Sequence, residues 1–357
     1  MQKVIYILLL AIVSLSSCHR TSMRHKPIVK DVTSNGIYYW RTTFDVTDAE
    51  QAFLQEHHID RLYLRLFDVD VAQQNLMASA QPTPIATLIF PDSATTMQTL
   101  SLVRDIVPVV FITLPALNDM KSHEVEYAKK IVTRMLNMCS YHQFRDKVTE
   151  IQIDCDWTPS TESLYFSLLK EIKELLTKEH LSLSVTIRLH QLRTTPPPAD
   201  KGVLMVYNTG SIREPMTTNS ILSVEDAAQY LTHSAVEKYT LPLDYAFPAF
   251  SWGVWFRDNK YMGILHKDTY DNPHYYSAID STHYEVLHQH VVEDRGLQSK
   301  DFIRLERADY STIMKVKDIL PSAGDEHAII LYHLDSEKLK AYDTEEINNL
   351  YRHSAGN

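Results

Sequence analysis

Eight short runs of apolar residues, several of them alternating with polar ones, recur along the chain after residue 36, and each predicts a β-strand. The predicted strands are Ile37–Phe44, Arg61–Asp68, Ile106–Thr113, Thr149–Trp157, Leu181–His190, Val203–Asn208, Leu243–Phe250 and Ala328–Asp335. Helical periodicity covers Asp45–His58, Ser122–Tyr141, Ser160–Lys178, Ser223–Leu231 and Ser336–Tyr351, with Ser160, Ser223 and Ser336 as expected N-caps. Strands that alternate with helices predict right-handed crossovers and a parallel sheet, which places the chain in the α/β class.

The faces of the predicted strands favour a closed barrel over an open sheet. In Leu181–His190 every odd position is aliphatic and every even position is polar or cationic. In Arg61–Asp68 the leucines share one face, whereas Tyr63, Arg65 and Phe67 share the other. A parallel sheet covered on both faces would give nearly continuous apolar runs. We therefore predict a (β/α)8 TIM barrel with polar residues in its lumen, and an open doubly wound sheet is the alternative.

One connection of the predicted barrel is far longer than an ordinary loop. Residues 251–326, between the seventh and eighth strands, form an insertion rich in aromatic residues. Loops that follow strands lie at the C-terminal face of a barrel, where active sites form. The aromatic side chains of the insertion, Trp252 among them, either stack on sugar rings or fill the core.

The first residues of the chain carry a targeting signal. Met1-Gln2-Lys3 is basic, residues 4–13 are apolar but too few to span a bilayer, and Leu15-Ser16-Ser17-Cys18 follows. This arrangement resembles the lipobox of bacterial lipoproteins, which implies cleavage before Cys18 and lipidation of its thiol. We expect a signal peptide at 1–17, a lipidated cysteine and tether at 18–35, and one barrel domain at 36–357. Such a protein is anchored to a membrane through the Cys18 lipid in the bacterial cell envelope, facing the periplasm; surface exposure and an ordinary secretory signal are the alternatives.

Charge and motifs exclude several other classes. The formal net charge is -10 and no stretch is rich in Lys and Arg, so we expect no nucleic-acid partner. The chain contains no GxGxxG, GxxxxGK[ST], HExxH, EF-hand, CxxC or GxSxG motif, so we expect no cofactor and no dedicated metal site. Besides Cys18, the chain has Cys139 and Cys155. We expect Cys155 to face the helix layer as a small hydrophobe, and the sequence leaves a disulfide between the two open.

The fourth predicted strand contains the most informative residues of the chain. Side chains alternate along a strand, so Asp154 and Asp156 share one face and lie about 6.6 Å apart along it. Two carboxylates in a barrel lumen raise one another's pKa unless cations compensate, and Arg65 and Arg188 are the expected cations. The pair is either an acid/base or substrate-orienting site, or a structural ion-pair network.

Asp154-Cys155-Asp156-Trp157 resembles part of the signature Asp-x-x-Asp-x-Asp-x-Glu of chitinase-type barrels, glycoside hydrolase family 18. Asp154 and Asp156 match the last two aspartates of that signature. Ile151 stands at its first aspartate and Thr158 at its catalytic glutamate. The resemblance implies a carbohydrate ligand, yet the proton donor that the family uses is missing.

More of the chain, residues 37–350, resembles a family of uncharacterised bacterial lipoproteins with a glycoside-hydrolase-like TIM barrel. The residues that carry this likeness are Tyr39-Trp40-Arg41, Gln152-Ile153-Asp154-Cys155-Asp156, Leu183-Ser184-Val185-Thr186 and Phe247-Pro248-Ala249-Phe250-Ser251-Trp252. The likeness implies the fold, and it does not imply a particular reaction.

Further side chains are expected in the lumen or at the rim of the C-terminal face. These candidates for substrate binding are Tyr39, Arg41, Arg65, Arg188, His190, Tyr207, Asn208, Asp244, Trp252, His333 and Asp335. Asp244 or Asp335 would supply a second carboxylate across the lumen. His190 and His333 are candidates for general acid/base groups or metal ligands, and packing is the alternative for each.

Three functions are compatible with the sequence. The first is a lipid-anchored carbohydrate-active protein that hydrolyses a glycan through Asp154 and Asp156. The second, motivated by Thr158, is a non-catalytic glycan-binding or scaffolding lipoprotein. The third is a metal-dependent hydrolase that uses Asp154, Asp156, His190 and His333.

Overall fold

Eight parallel strands close into a barrel in the computed structural model of this protein, which confirms the predicted TIM-barrel fold. The strands are β1 (Asn35–Tyr39), β2 (Ile59–Ala72), β3 (Gln81–Ile85), β4 (Asp105–Ile112), β5 (Glu150–Asp154), β6 (Ser182–Arg188), β7 (Lys201–Met205), β8 (Leu243–Pro248), β9 (Ser251–Arg257), β10 (Lys260–Leu265), β11 (Tyr276–Ala278), β12 (His283–Val286), β13 (His290–Val292), β14 (Arg295–Leu297), β15 (Phe302–Arg307) and β16 (Ile329–Tyr332). The barrel consists of β1, β2, β4, β5, β6, β7, β8 and β16 in that order. Pairing of β1 with both β2 and β16 closes it, and β3 adds to β2 in antiparallel fashion.

The structure describes residues 35–72, 80–91, 93–320 and 327–352. All of these residues belong to one compact unit. The expected signal peptide, the lipidation site Cys18 and the tether up to residue 34 lie outside the described residues, so they remain predictions.

Helices connect the barrel strands and cover the aliphatic outer face. They are α1 (Asp48–Glu56), α2 (Ser93–Ser101), α3 (Leu114–Asp119), α4 (Glu124–Tyr141), α5 (Glu162–Lys178), α6 (Val224–Ala228), α7 (His233–Glu237), α8 (Tyr310–Ile319), α9 (Ser336–Leu339) and α10 (Thr344–Tyr351). Within the described ranges, no helix has the length and apolarity needed to cross a membrane.

The helix starts differ from the predicted ones at two of three positions. Ser223 is an N-cap as predicted, because its side chain accepts a hydrogen bond from the Asp226 N–H. The N-cap before α5 is Thr161 rather than Ser160, and the N-cap before α9 is Asp335 rather than Ser336. The Asp335 side chain is the better cap there, because its carboxylate accepts from two backbone N–H groups of the first turn.

The lumen of the barrel is polar, as the alternation in the fifth predicted strand indicates. The Tyr38 hydroxyl donates to Gln152 Oε1 at 2.7 Å, and Gln152 Nε2 donates to Ser184 Oγ at 3.3 Å. These three side chains are buried and lie on neighbouring or facing strands. The opposite strand face packs on the helices, where Cys155 and Cys139 are buried free thiols.

Two predictions of which residue faces the lumen are wrong by one position. Tyr39 faces outward: its ring packs on Phe44 with centroids 5.0 Å apart, and its hydroxyl donates to the Thr43 carbonyl. Tyr38 takes the lumen position in its place, because a shift of one residue exchanges the two faces of a strand.

The second error comes from a β-bulge in β2. Arg65 pairs with Val109 of β4 and Phe67 pairs with Val110, so Leu66 is an extra residue. Phe67 therefore faces outward, where the Arg134 guanidinium lies 5.1 Å from the centre of its ring. Asp68, rather than Phe67, points to the interior of the barrel.

The insertion between β8 and β16 forms a small antiparallel sheet of its own. Its strand order is β10-β9-β15-β12-β11, and β13 pairs with β14 in a separate hairpin. A second apolar core, with Trp255, Tyr270, Val286 and Ile303 among its members, lies in this insertion. The sheet begins at Ser251, directly after the C-terminal end of β8, which agrees with the insertion predicted from the sequence.

Candidate functional site

A cleft of about 590 Å³ opens at the C-terminal ends of the barrel strands. Its lining combines carboxylates, cations and aromatic rings: Trp40, Asp68, Phe111, Asp154, Asp156, Arg188, Met205, Tyr207, Asn208, Phe250, Ser251, Trp252, His266, Tyr332, His333, Asp335 and Lys338. The volume is in the range of small-molecule sites, and the position is where barrel enzymes place their sites. A groove of about 770 Å³ along α4 is larger but lacks such a carboxylate cluster.

Asp154, Asp156 and Arg188 form the polar centre of this cleft. Arg188 Nε donates to Asp156 Oδ1 at 2.5 Å, and its Nη2 lies 3.9 Å from Asp154 Oδ1. Asp154 Oδ1 also accepts a hydrogen bond of 2.5 Å from the Thr186 hydroxyl. The strand periodicity explains this geometry, because β5 and the residues after it present Asp154 and Asp156 to Thr186 and Arg188 of β6.

The two aspartates differ in their environment. The Asp154 side chain is 4% exposed and that of Asp156 is 51% exposed. Burial raises the pKa of the Asp154 carboxyl, and the opposing effects of the Arg188 cation and the Thr186 hydroxyl do not cancel it. Burial acts against the Arg188 charge, but the neighbouring carboxylates outweigh it and raise its pKa. The centre therefore holds one buried carboxyl with weakened acidity beside one half-exposed carboxylate paired to arginine.

A second ion pair lies next to this centre. Arg65 Nε donates to Asp68 Oδ1 at 2.7 Å, and its Nη2 contacts Asp68 Oδ2, so the pair is bidentate. The Arg65 guanidinium also lies 5.6 Å from the centre of the Trp40 ring. The bulge in β2 makes this contact possible, because it brings Asp68 to the face that Arg65 occupies.

Aromatic rings form the walls of the cleft. Tyr332 contacts three of these rings: its ring centroid lies 5.6 Å from that of Trp40, 5.3 Å from that of Tyr207 and 5.8 Å from that of Phe250. Phe250 continues to Trp252 with a centroid distance of 5.0 Å. The hydroxyl of Tyr207 and Nδ1 of His333 are buried without a hydrogen-bond partner in the described part of the chain.

A smaller lobe of about 330 Å³ adjoins the cleft on the other side of the Asp156 and Arg188 pair. Thr158 and His190 line this lobe. Thr158, at the position of the chitinase glutamate, lies in a turn where its hydroxyl contacts that of Ser160 at 2.8 Å. Burial lowers the pKa of His190, which favours the neutral imidazole.

Most of the sequence candidates lie together at the C-terminal face. The cleft is lined by Asp154, Asp156, Arg188, Tyr207, Asn208, Trp252, His333 and Asp335, and His190 lies in the adjoining lobe. Arg65 contacts the cleft residues Asp68 and Trp40. The carboxylate of Asp335 accepts from the N–H groups at the start of α9, so it is a helix cap as well as a cleft residue.

Three of the candidates do not line the cleft. Tyr39 faces the helix layer, as described above. Arg41 is directed at Glu50, with Nη2 to Oε2 at 2.7 Å, and does not line the cleft. Asp244 lies at the N-terminal end of the barrel, where its Oδ2 is 2.6 Å from Lys201 Nζ. It is the second residue of β8, so its distance from the C-terminal face follows from its position in the strand.

Asp244 belongs to a buried ion-pair cluster at the N-terminal end of the barrel. Lys201 Nζ also lies 3.2 Å from Glu150 Oε2, and Arg61 Nη1 lies 3.4 Å from the same oxygen. Arg61 Nη2 lies 3.5 Å from Asp105. This cluster fills the end of the lumen opposite the cleft and is structural.

Several residues that line the cleft were not predicted from the sequence as site residues. They are Trp40, Asp68, Phe111, Met205, Phe250, Ser251, His266, Tyr332 and Lys338. Tyr332 had a detectable signal, because it is a large aromatic residue within the predicted strand Ala328–Asp335. Asp68 had none, because its orientation depends on the bulge at Leu66.

The described residues contain no group of three or more His, Cys, Asp or Glu side chains that could hold a metal ion. In particular, the four residues of the metal-hydrolase hypothesis do not form such a group: Asp154 and Asp156 are paired with Arg188, His333 lines another part of the same cleft, and His190 lies in the adjoining lobe. The Arg188 guanidinium already lies between the two carboxylates, and its positive charge would repel a metal ion at that position.

Comparison with solved structures places the fold among chitinase-like barrels. The spore cortex-lytic enzyme SleL of Bacillus cereus is 12% identical, with a TM-score of 0.53, over 90% of this chain and 74% of the other. A chitinase from Chromobacterium violaceum is 12% identical, with a TM-score of 0.53, over 87% and 98%. The Group IV chitinase of Ostrinia furnacalis, solved in complex with allosamidin, is 11% identical, with a TM-score of 0.51, over 89% and 97%.

No protein-family model and no curated protein matches the sequence. At identities this low the structural likeness shows the fold alone. The chain therefore has a glycoside-hydrolase-like TIM barrel, similar in fold to chitinases and to a spore cortex-lytic enzyme.

Proposed function

We propose that this protein is a lipid-anchored, carbohydrate-binding barrel of the bacterial cell envelope, and that its C-terminal cleft binds an oligosaccharide without hydrolysing it. The observation that carries the proposal is the cleft itself, in which six aromatic side chains surround the Asp154, Asp156 and Arg188 centre. The aromatic side chains are those of Trp40, Phe111, Tyr207, Phe250, Trp252 and Tyr332.

The chemistry of the lining suits a sugar. Aromatic faces pack on the apolar faces of sugar rings, and fixed carboxylates and guanidinium groups accept from and donate to hydroxyl groups. Tyr207 Oη and His333 Nδ1 are buried without a partner among the described residues. A bound sugar would supply partners for them, because buried polar groups are normally hydrogen-bonded.

The charge of the cleft favours a neutral glycan. Four carboxylates line it, and among its lining residues Arg188 and Lys338 carry permanent positive charge. Lys338 is already engaged, since its Nζ contacts Asp268 Oδ1 and donates to the His266 carbonyl at 3.0 Å. A cleft built for a strongly anionic ligand would show an excess of cations instead.

The contacts of three of the four carboxylates support binding over hydrolysis. Asp68 is held by Arg65, Asp156 by Arg188, and Asp335 by the start of α9. A general acid must be protonated and within reach of the leaving group. Thr158 stands where chitinase-type barrels carry that acid, and a threonine hydroxyl cannot serve as one at neutral pH.

Hydrolysis is the second candidate, and one observation favours it. Burial raises the pKa of Asp154, which moves this carboxyl towards the protonated state beside the carboxylate of Asp156. A carboxyl with a raised pKa close to a second carboxyl is the arrangement that many glycosidases use. The weakness of this candidate is burial, because Asp154 is almost inaccessible to a leaving group.

A titration that records binding and products together separates the two candidates. The purified protein is titrated with tetrasaccharides of β-1,4-linked N-acetylglucosamine, glucose, xylose and mannose, and the same solutions are analysed for shorter sugars after prolonged incubation. Saturable binding with no shorter sugars supports the proposal. Release of shorter sugars that Asp154→Asn or Asp156→Asn abolishes would establish hydrolysis instead. Absence of binding to any glycan, extended to a polysaccharide panel, would overturn both.

The proposed anchor has a separate test. Cells expressing the protein are fed radiolabelled palmitate, and the wild-type chain is compared with Cys18→Ser. We expect label and membrane association in the wild type and neither in the variant. Equal membrane association of both would refute lipidation at Cys18.

A further inference from the structure

We infer that Glu306 is a positioning residue of the cleft: it holds the indole of Trp252 in the orientation in which that ring forms a wall of the cleft. The inference rests on the proposed function, because it concerns how the cleft presents a ring to a sugar. The contact between Trp252 and Glu306 cannot be predicted from residue type or spacing, because the two residues lie 54 positions apart in the sequence.

The contact between the two residues is a short hydrogen bond to a charged acceptor. Trp252 Nε1 donates to Glu306 Oε2 at 2.7 Å. The residues are directly opposite each other in the antiparallel pair of β9 and β15, so the backbone register sets the distance. Hydrogen bonds to an ionised acceptor are about twice as strong as neutral ones.

The Glu306 carboxylate is itself held on every side. Arg304 Nε donates to its Oε1 at 2.6 Å, and the Ser220 hydroxyl donates to its Oε2 at 2.6 Å. The side chains of Arg304 and Glu306 are both 0% exposed. Arg304 is fixed in turn, because its Nη1 donates to the Glu214 carbonyl at 2.7 Å. Rotation of the carboxylate would break several of these bonds at once.

The core of the insertion contains a second hydrogen bond from an indole N–H to a carboxylate, and neither of its partners lines the cleft. Trp255 Nε1 donates to Asp301 Oδ2 at 2.8 Å, and Trp255 is 5% exposed. Trp255 does not line the cleft, whereas Trp252 is partly exposed there and contacts Phe250. The pair of Trp255 and Asp301 is therefore a natural control for the loss of an indole–carboxylate bond.

A ring that is fixed before the sugar arrives spares the cost of immobilising it on binding. Immobilising one side chain on binding lowers affinity by roughly two- to tenfold. Loss of the Glu306 contact should therefore weaken binding by that factor, although Trp252 touches the sugar and Glu306 does not.

Two variants and one control test this positioning role. Trp252→Phe removes the N–H and keeps an aromatic ring. Glu306→Gln keeps the indole and the volume of the side chain at position 306. The carbonyl oxygen of the new amide is expected to accept from Arg304, so its NH2 group faces the indole N–H. Two donors then face each other, and the hydrogen bond to Trp252 is lost. Trp255→Phe removes an equivalent bond outside the cleft. Dissociation constants for whichever tetrasaccharide of the panel the wild type binds are measured alongside melting temperatures.

We expect the first two variants to bind roughly two- to tenfold more weakly at a temperature where each is folded. Trp255→Phe should lower the melting temperature and leave the dissociation constant unchanged. Wild-type affinity in both Trp252→Phe and Glu306→Gln would overturn the positioning role, and so would an equal loss in Trp255→Phe. A wild type that binds no glycan would instead overturn the proposed function.

A measurement on the wild-type protein covers the case in which a variant fails to fold. The indole N–H signals of Trp252 and Trp255 are followed by nuclear magnetic resonance during hydrogen exchange and during the titration. Both should exchange slowly, and the Trp252 signal alone should shift when the tetrasaccharide is added. Rapid exchange of the Trp252 indole proton would show that Glu306 does not hold it.

Discussion

Replacement of Asp154 by asparagine should stabilise the protein at neutral pH, because it removes a buried charge and little else. The Asp154 side chain is 4% exposed. Asparagine has nearly the same volume, and its carbonyl oxygen can still accept the hydrogen bond from Thr186. Arg188 keeps its closer partner, since its Nε is 2.5 Å from Asp156 and its Nη2 is 3.9 Å from Asp154.

The sign of the effect follows from the pKa of Asp154, which folding raises above the ordinary value of 3.8 mainly through burial. Between pH 3.8 and the raised pKa the native state binds more protons than the unfolded state, so wild-type stability falls as the pH rises through that window. Each unit by which the pKa is raised corresponds to about 1.4 kcal/mol. The attraction of Arg188 is already included in that pKa and needs no separate correction.

We expect the variant to gain on the order of 1 kcal/mol at pH 7 relative to the wild type. Urea unfolding from pH 4.5 to pH 8 measures the difference in the free energy of unfolding. The gain should shrink as the pH falls through the window between the raised pKa and 3.8, because protonation removes the charge from the wild type as well. Asp156→Asn is the matched control: its side chain is 51% exposed and accepts from Arg188, so no gain is expected. A loss of stability in Asp154→Asn that does not change with pH would show that the buried charge of Asp154 does not destabilise the protein.

Three further predictions concern other parts of the molecule. Lys201→Met removes the cation shared by Asp244 and Glu150, so the free energy of unfolding measured with urea should fall by about 3–5 kcal/mol. Glycan affinity should stay unchanged in the folded protein. An unchanged free energy of unfolding would contradict the structural role of this cluster. Arg188→Lys keeps the charge but loses the planar fork between the two aspartates, so glycan binding measured by calorimetry should weaken roughly tenfold, and unchanged affinity would argue against a role of Arg188 in binding. Burial raises the pKa of the Cys139 thiol to about 12 and that of the Cys155 thiol far above its ordinary value. We therefore expect iodoacetamide to label neither cysteine in the native protein at pH 8, as measured by mass spectrometry of the two peptides. Labelling before unfolding would contradict the burial of these thiols.

The architecture of the barrel could be predicted from the sequence because its signal is repeated. All eight predicted strands overlap the eight barrel strands, and the alternation in Leu181–His190 correctly assigns Ser184, Thr186 and Arg188 to the lumen. Alternation is a property of each strand by itself, so no knowledge of distant contacts is needed. Eight such strands in turn favour closure over an open sheet.

Local irregularities explain where this reasoning fails. The extra residue Leu66 exchanges the faces of Phe67 and Asp68, and the segment Leu64-Arg65-Leu66-Phe67 contains no glycine or proline that would indicate a bulge. Asp244 is polar and lies on a barrel strand, yet it is at the start of that strand rather than at its end. The sequence indicates which strand a residue occupies more securely than how far along it the residue lies.

The insertion illustrates a second kind of failure. Its aromatic residues are visible in the sequence, but the partner of each depends on contacts between distant positions. Trp252 and Trp255 are three residues apart, and one lies in the cleft while the other lies in the core of the insertion. The acceptors, Glu306 and Asp301, follow about fifty residues later and become predictable only once the strand register is known.

The most direct test of the proposed binding cleft is a crystal structure of the protein with the tetrasaccharide that binds best. We expect sugar rings against Trp252, Tyr207 and Tyr332, with hydroxyl groups hydrogen-bonded to Asp156 and Arg188 and the glycosidic bonds intact. A sugar bound elsewhere, for example in the groove along α4, with the cleft unchanged, would contradict it.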